Sequence, residues 1–240
     1  MGADMADVNN DGLPEIYVTD MLPEADRRLK TTSTFDSWRT YQNGLDNDFY
    51  HQFMRNMLHL NNGDGAFSEI GLIAGVAATD WSWSALITDF DLDGFKDIFV
   101  SNGIFRDLTD QDFIAFFSSE EAIRQWIREN GSDFRKLLDE LPSTPLPNYA
   151  FSNNADPGSG PGQALTFTDR AAAWGLDTPS FSNGAAYGDL DNTATSTSLS
   201  TTSTSKPLST AMKPTRCWPI AICKSGSTAR GATRSASARR

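Results

Sequence analysis

The sequence predicts a mainly β fold, a partial β-propeller of four-stranded antiparallel blades with acidic loops and helical insertions. Three observations predict it. An Asp-rich loop recurs three times, two of the copies run directly into β-branched and aromatic residues, and the copies keep a common spacing to landmarks upstream.

The first copy, Asp7-Val8-Asn9-Asn10-Asp11-Gly12-Leu13-Pro14-Glu15, leads into Ile16-Tyr17-Val18. The second, Asp89-Phe90-Asp91-Leu92-Asp93-Gly94-Phe95-Lys96-Asp97, leads into Ile98-Phe99-Val100. Oxygen-bearing side chains at loop positions 1, 3 and 5 converge on one cation if the backbone turns sharply after them, and glycine at position 6 permits the turn. A carbonyl at position 7 and a carboxylate at position 9 then complete a shell for Ca²⁺, which takes six to eight oxygens at about 2.3–2.6 Å. The predicted ligands are therefore Asp7, Asn9, Asp11, Leu13 and Glu15 in one loop, and Asp89, Asp91, Asp93, Phe95 and Asp97 in the other. An EF-hand begins in the same way but needs a bidentate Glu at position 12 and a helix on each side. Here position 12 is Val18 or Val100, and the residues after each loop read as strand. One such loop alone is equally well an acidic turn, whereas repetition in register with strands attached favours the cation site.

The third copy starts at Gly188-Asp189-Leu190-Asp191-Asn192 and then breaks, with Thr193 at position 5. Its surroundings still mark it as a copy. Phe67 precedes Asp89 by 22 residues and Phe167 precedes Asp189 by 22, while Gly75 and Gly175 each precede their loop by 14. Asp189 and Asp191 are accordingly the third pair of candidate metal ligands.

Asn56 to Ile70 reads as a hairpin around Asn61-Asn62-Gly63-Asp64-Gly65, and Asn153-Asn154 opens a second. Ser84 to Thr88 and Ile98 to Ser101 are strands into and out of the second loop. Two longer segments, residues 22–55 and 106–145, read as insertions between repeats. The second is helical over Asp112 to Phe117, Glu120 to Asn130 and Phe134 to Leu141, with Asn130-Gly131 as a stop signal. The insertions are expected to cover one face of the sheets, and their aromatic residues, Trp38, Tyr41, Phe49, Tyr50, Phe53, Phe116 and Phe117, are read as packing residues in preference to ligand-stacking ones. Since a propeller has typically four to eight blades, residues 1–192 are expected to be a piece of a ring.

Charge separates the chain into two parts. Residues 1–192 hold 12 basic and all 31 acidic groups, a balance of −19 that repels nucleic acid and anionic lipid and attracts cations. Residues 193–240 hold no Asp or Glu and contain both cysteines, Cys217 and Cys223, so no disulfide framework arises in the acidic body. No stretch approaches the roughly 18 apolar residues of a membrane span. The Ser/Thr-rich composition after residue 192 reads as a disordered tail. It also reads as a shifted frame. Thr codons begin AC, Ala codons GC, Leu codons usually CT and Ser codons usually TC, so joining each unknown third base to the next two gives codons that, with permitted third bases, spell Gly-Asp-Leu-Asp-Leu-Ala-Val-Asn-Asn-Val-Asn from Thr193 onward. That is the missing end of the third loop and its strand. If Thr193 is an Asp codon that lost its first base, position 5 is restored as well.

The two complete loops and their strands resemble the FG-GAP or VCBS repeats of integrin-α-like propellers. Tyr50-His51-Gln52-Phe53-Met54-Arg55-Asn56, Asp80-Trp81-Ser82-Trp83 and Ser101-Asn102-Gly103-Ile104-Phe105-Arg106-Asp107 are similar to bacterial proteins of the ASPIC/UnbV or CRTAC1-like group. The resemblance implies Ca²⁺ in the blades and an extracellular or outer-surface location. It favours a non-enzymatic scaffold that binds a protein or glycan, without nucleic acid and without a membrane span. The alternative is a polysaccharide lyase or hydrolase. With only His51 and His59 and no Ser/His/Asp or Cys/His constellation, that alternative is confined to carboxylate chemistry.

Overall fold

The computed structural model describes residues 1–34, 37–131, 133–155, 165–188 and 198–203, the last segment and Phe134 as backbone alone. Its strands form three antiparallel sheets. The first has the order β1-β2-β4-β5, from Ala3–Ala6, Glu15–Val18, Met57–Asn61 and Phe67–Glu69. The second contains β6 (Asp80–Thr88), β7 (Asp97–Asn102), β8 (Tyr149–Asn153) and β9 (Phe167–Asp169), with the two-residue β3 (Met21–Leu22) added beside β6. The third pairs β10 (Ser182–Gly188) with β11 (Ser198–Ser203). A mainly β chain with repeated antiparallel sheets is thus what the structure shows, and it is consistent with a partial propeller.

The acidic loops join the first two strands of the first two sheets, and hairpins join the last two. A short helix follows each hairpin, α3 (Gly71–Ala74) or α7 (Ala171–Trp174), ended by a left-handed glycine, Gly75 at φ 80° or Gly175 at φ 74°. The recurring glycine spacing in the sequence is this helix stop.

The insertions lie between repeats along the sequence but inside the sheets in space. β2 pairs directly with β4, Tyr17 opposite Leu58, so the first insertion connects the second and third strands of one sheet. The second occupies the same place between β7 and β8. A linear reading missed this because the hairpin opens a repeat in sequence but closes a sheet in space.

β7 explains how the sheets stack. All six of its residues are buried, with Ile98 and Val100 on one face and Phe99 on the other. Ile98 and Val100 join Tyr17 and Leu58 of the first sheet in one apolar cluster; Phe99 joins Phe90, Trp174 and the flanking Ala185 of β10 in another. The second sheet is therefore sandwiched face to face between the first and the β10-β11 pair. Gly2 marks how near the sheets come, since a Cβ there would lie 2.6 Å from the Trp83 carbonyl oxygen.

The insertion helices are α1 (Asp26–Thr32), α2 (Trp38–Asp46), α4 (Gln111–Ser118), α5 (Glu120–Asn130) and α6 (Phe134–Asp139). α2, α4 and α5 have no buried residue, so the expected packing of their aromatic side chains on the sheets is not what is found. Trp38 is 74% and Tyr50 84% exposed. These rings instead contact each other: Trp38 lies 5.5 Å from Tyr41 and Tyr41 6.0 Å from His51, centroid to centroid. Residues 198–203, within the segment expected to be disordered, form β11; the other residues after 188 lie outside the described ones.

Candidate metal sites

Each complete loop folds by the same hydrogen bonds. The position-1 carboxylate accepts from the amides of positions 5 and 6: Asp7 from Asp11 at 3.1 Å and Gly12 at 2.9 Å, Asp89 from Asp93 at 3.1 Å and Gly94 at 2.9 Å. The position-5 carboxylate accepts from the position-7 amide, Leu13 to Asp11 and Phe95 to Asp93, both at 2.8 Å. The position-9 carboxylate accepts from the position-2 amide, Val8 to Glu15 at 2.7 Å and Phe90 to Asp97 at 2.8 Å. Gly12 and Gly94 hold φ of 88° and 97°, the left-handed region, as the predicted turn requires. Position 4 is left-handed too, Asn10 at φ 58° and Leu92 at φ 62°, and nothing in the sequence pattern announced it.

The second loop brings carboxylate oxygens of Asp89, Asp91 and Asp97 within 4.8 Å of one another. Asp93, predicted beside them, stands outside that trio and uses one oxygen to hold the Phe95 amide. Asp97 is fully buried, and burial pushes its carboxyl up to about 7, with the Asn153 and Phe90 amides opposing and the Asp91 and Asp93 charges adding to the rise. Three carboxylates in one small space, one of them inside the protein, form a group that could hold a divalent cation.

In the first loop Asn9 replaces the position-3 acid and bonds to Asp11 in both directions, accepting from its amide and donating to its carboxylate, at 3.0 Å each. The informative atom is elsewhere. Glu15 is fully buried, and its Oε1 has no hydrogen-bond partner while Oε2 accepts from Val8. Burial raises its pKa, the Val8 and Asn61 backbone amides oppose the rise, and Asp11 and Asp7 add to it. A buried carboxylate oxygen without a partner is costly unless something coordinates it. Asp7, Asp11 and Glu15 are oxygen donors of the kind Ca²⁺ takes, but among the described residues the carboxylates drawn within 4.8 Å of one another are those of the second loop alone.

Asn153 was legible only as a hairpin residue. Its side-chain amide donates to the Val8 carbonyl at 3.0 Å and the Lys96 carbonyl at 3.1 Å, and its backbone amide donates to Asp97 at 3.0 Å. Asn61, its counterpart in the first sheet, donates to the Pro14 carbonyl at 3.3 Å. The predicted third-loop ligands Asp189 and Asp191 lie outside the described residues. His51 is exposed and contacts the Tyr41 hydroxyl through Nδ1 at 2.6 Å. Among the described residues no helix is long and apolar enough to cross a membrane.

An FG-GAP-like repeat matches residues 43–100. This stretch covers β4, β5, α3, β6, the whole second acidic loop and most of β7, so it straddles two sheets. A search of curated proteins finds no match.

Proposed function

We propose that this chain, with its FG-GAP-like repeat at residues 43–100, is a calcium-stabilised β-propeller scaffold of the integrin-α type, non-enzymatic and extracellular, that binds a protein or glycan. The observation that carries the metal part is the convergence of Asp89, Asp91 and Asp97 on one point of the second loop. The unpartnered Oε1 of buried Glu15 supports a second ion in the first loop. When bound, Ca²⁺ would neutralise clustered carboxylates and hold both loops in the turns that launch β2 and β7. The narrower assignment to the ASPIC/UnbV type rests on the sequence segments around Tyr50, Asp80 and Ser101.

Calorimetric titration with Ca²⁺, paired with thermal unfolding in chelator, tests the reading. Uptake of metal and a higher unfolding temperature with Ca²⁺ are expected, because a ligand bound only by the folded state stabilises it by RT ln(1 + [L]/Kd). Equal unfolding temperatures in Ca²⁺ and chelator would overturn it.

A further inference from the structure

We propose that the two acidic loops load as a linked pair, metal at one loop raising the affinity of the other, with Asn10 and Asn153 as the cross-ties. The proposal rests on the calcium reading above and adds how the sites influence each other.

Two independent hydrogen-bond paths join the loops. Asn10, at position 4 of the first, donates its side-chain amide to the carbonyl of Gly94, position 6 of the second, at 3.0 Å. The other path runs through the interior and connects the two position-9 carboxylates. Glu15 Oε2 accepts from the Val8 amide, the Val8 carbonyl accepts from the Asn153 side chain, and the Asn153 amide donates to Asp97 Oδ1, at 2.7, 3.0 and 3.0 Å. Glu15, Val8, Asp97 and Asn153 are all buried, so water does not compete for these bonds. The Asn153 side chain also grips Lys96, the residue before Asp97. A cation that fixes Glu15 therefore fixes the Val8 peptide, and through it the amide that positions Asp97.

Two effects decide the sign. Filling one loop removes negative charge near the other and weakens its pull on a second cation, an effect that salt screens between the exposed carboxylates and much less between buried Glu15 and Asp97. Ordering acts the other way: fixing a residue's backbone costs roughly 1–2 kcal/mol, and peptides shared between the loops are ordered once for both ions. In this proposal the shared ordering outweighs the lost attraction, so loading is positively coupled.

The test is titration of the whole chain with Ca²⁺, in wild type and in Asp91→Asn, which disables the second loop, with circular dichroism as the folding control. Disabling the second loop is expected to weaken the first about fivefold or more, the lower end of ordinary coupling energies. Asn10→Ala alters no proposed ligand and lies at an exposed position, and it is expected to reduce the coupling while keeping both ions. Two ions bound with affinities that do not respond to loss of the other site, or a first site that tightens when the second is disabled, would overturn the coupling and leave the calcium reading standing. No uptake by wild type would overturn both.

Discussion

Arg28 meets Asp107 through two parallel hydrogen bonds, Nη1 to Oδ2 and Nη2 to Oδ1, each 2.8 Å long. The same guanidinium reaches Asp80 through Nε at 2.8 Å and Nη2 at 3.1 Å. Asp80 opens β6 with φ 63°, and Asp107 also accepts from the Thr144 hydroxyl at 2.9 Å. Burial works against the charge on Arg28, yet the bonds to Asp107 and Asp80 outweigh it and raise its pKa further above the ordinary range. One side chain of α1 thus fastens the first insertion to the second sheet and to the start of the second insertion. Arg28→Met would leave two carboxylates, 6% and 2% exposed, without their cation. Breaking a buried pair this way costs roughly 3–5 kcal/mol. Thermal unfolding is expected to fall by about 10 °C, and a drop of under about 2 °C would mean that water replaces the guanidinium.

Asn56 does comparable work with a neutral side chain. Its oxygen accepts from the Asp20 amide at 2.8 Å, and its amide donates to the Val76 carbonyl at 3.1 Å and to the Thr79 hydroxyl at 2.6 Å. Tyr17 donates to the same carbonyl at 2.9 Å. Tyr17→Phe leaves Val76 with Asn56 and is expected to cost about 1 kcal/mol; Asn56→Ala orphans buried groups on two segments and is expected to cost about 2–4 kcal/mol. Urea midpoints of the two variants check the order, which reverses if the Asn56 site fills with water.

These two anchors bear on how far the sequence could be read. The loops, their glycines and the strands after them were legible because ligand spacing and β-branched runs are local patterns. Asn56 and Asn148 were not, although they do the same job, each accepting a backbone amide from the end of its sheet's second strand or just beyond, Asp20 and Asn102. Their partners lie 36 and 46 residues away across an insertion, so no window along the chain shows them together. Arg28 was hidden for the same reason. The insertion aromatics misled in the opposite direction: apolar residues at helix spacing signal a face to be covered, but α2, α4 and α5 leave no residue fully buried.

The acidity of Asp97 gives a pH dependence with a definite sign. Its carboxyl titrates near 7 when folded, against an ordinary value of 3.8. Between those values the folded state holds a proton that the unfolded chain lacks, so the stability of the metal-free protein falls as pH rises from about 4 to about 7. This group contributes at most about 1.4 kcal/mol per pH unit. Calcium needs the carboxylate, so affinity is expected to weaken as pH drops below about 7. Urea midpoints from pH 5 to 8 in chelator and in Ca²⁺ check both, and Asp97→Asn is expected to flatten this component of the slope. A chelated protein whose stability rises over that range would contradict the assignment.

The pairing of β10 with β11 bears on the reading frame after residue 192. In the second sheet Thr88 pairs with Asp97 and Ile87 with Ile98. Gly188 and Tyr187 stand 100 residues further on, but they pair with Ser198 and Leu199, one residue later than that offset requires. A slip of one residue turns every side chain to the opposite face, and a strand is free to slip when it carries no apolar alternation to fix its register. Ser198-Leu199-Ser200-Thr201-Thr202-Ser203 carries none, whereas the shifted frame supplies Leu-Ala-Val-Asn-Asn at the places of Ile98-Phe99-Val100-Ser101-Asn102. We therefore expect resequencing of the locus to reveal one missing base near codon 193. Protein made from the restored frame is expected to pair Gly188 with residue 197 and to bind one more calcium per chain than the present sequence does, by metal analysis after gel filtration. An intact frame at that locus, without a neighbouring insertion or deletion, would refute the expectation.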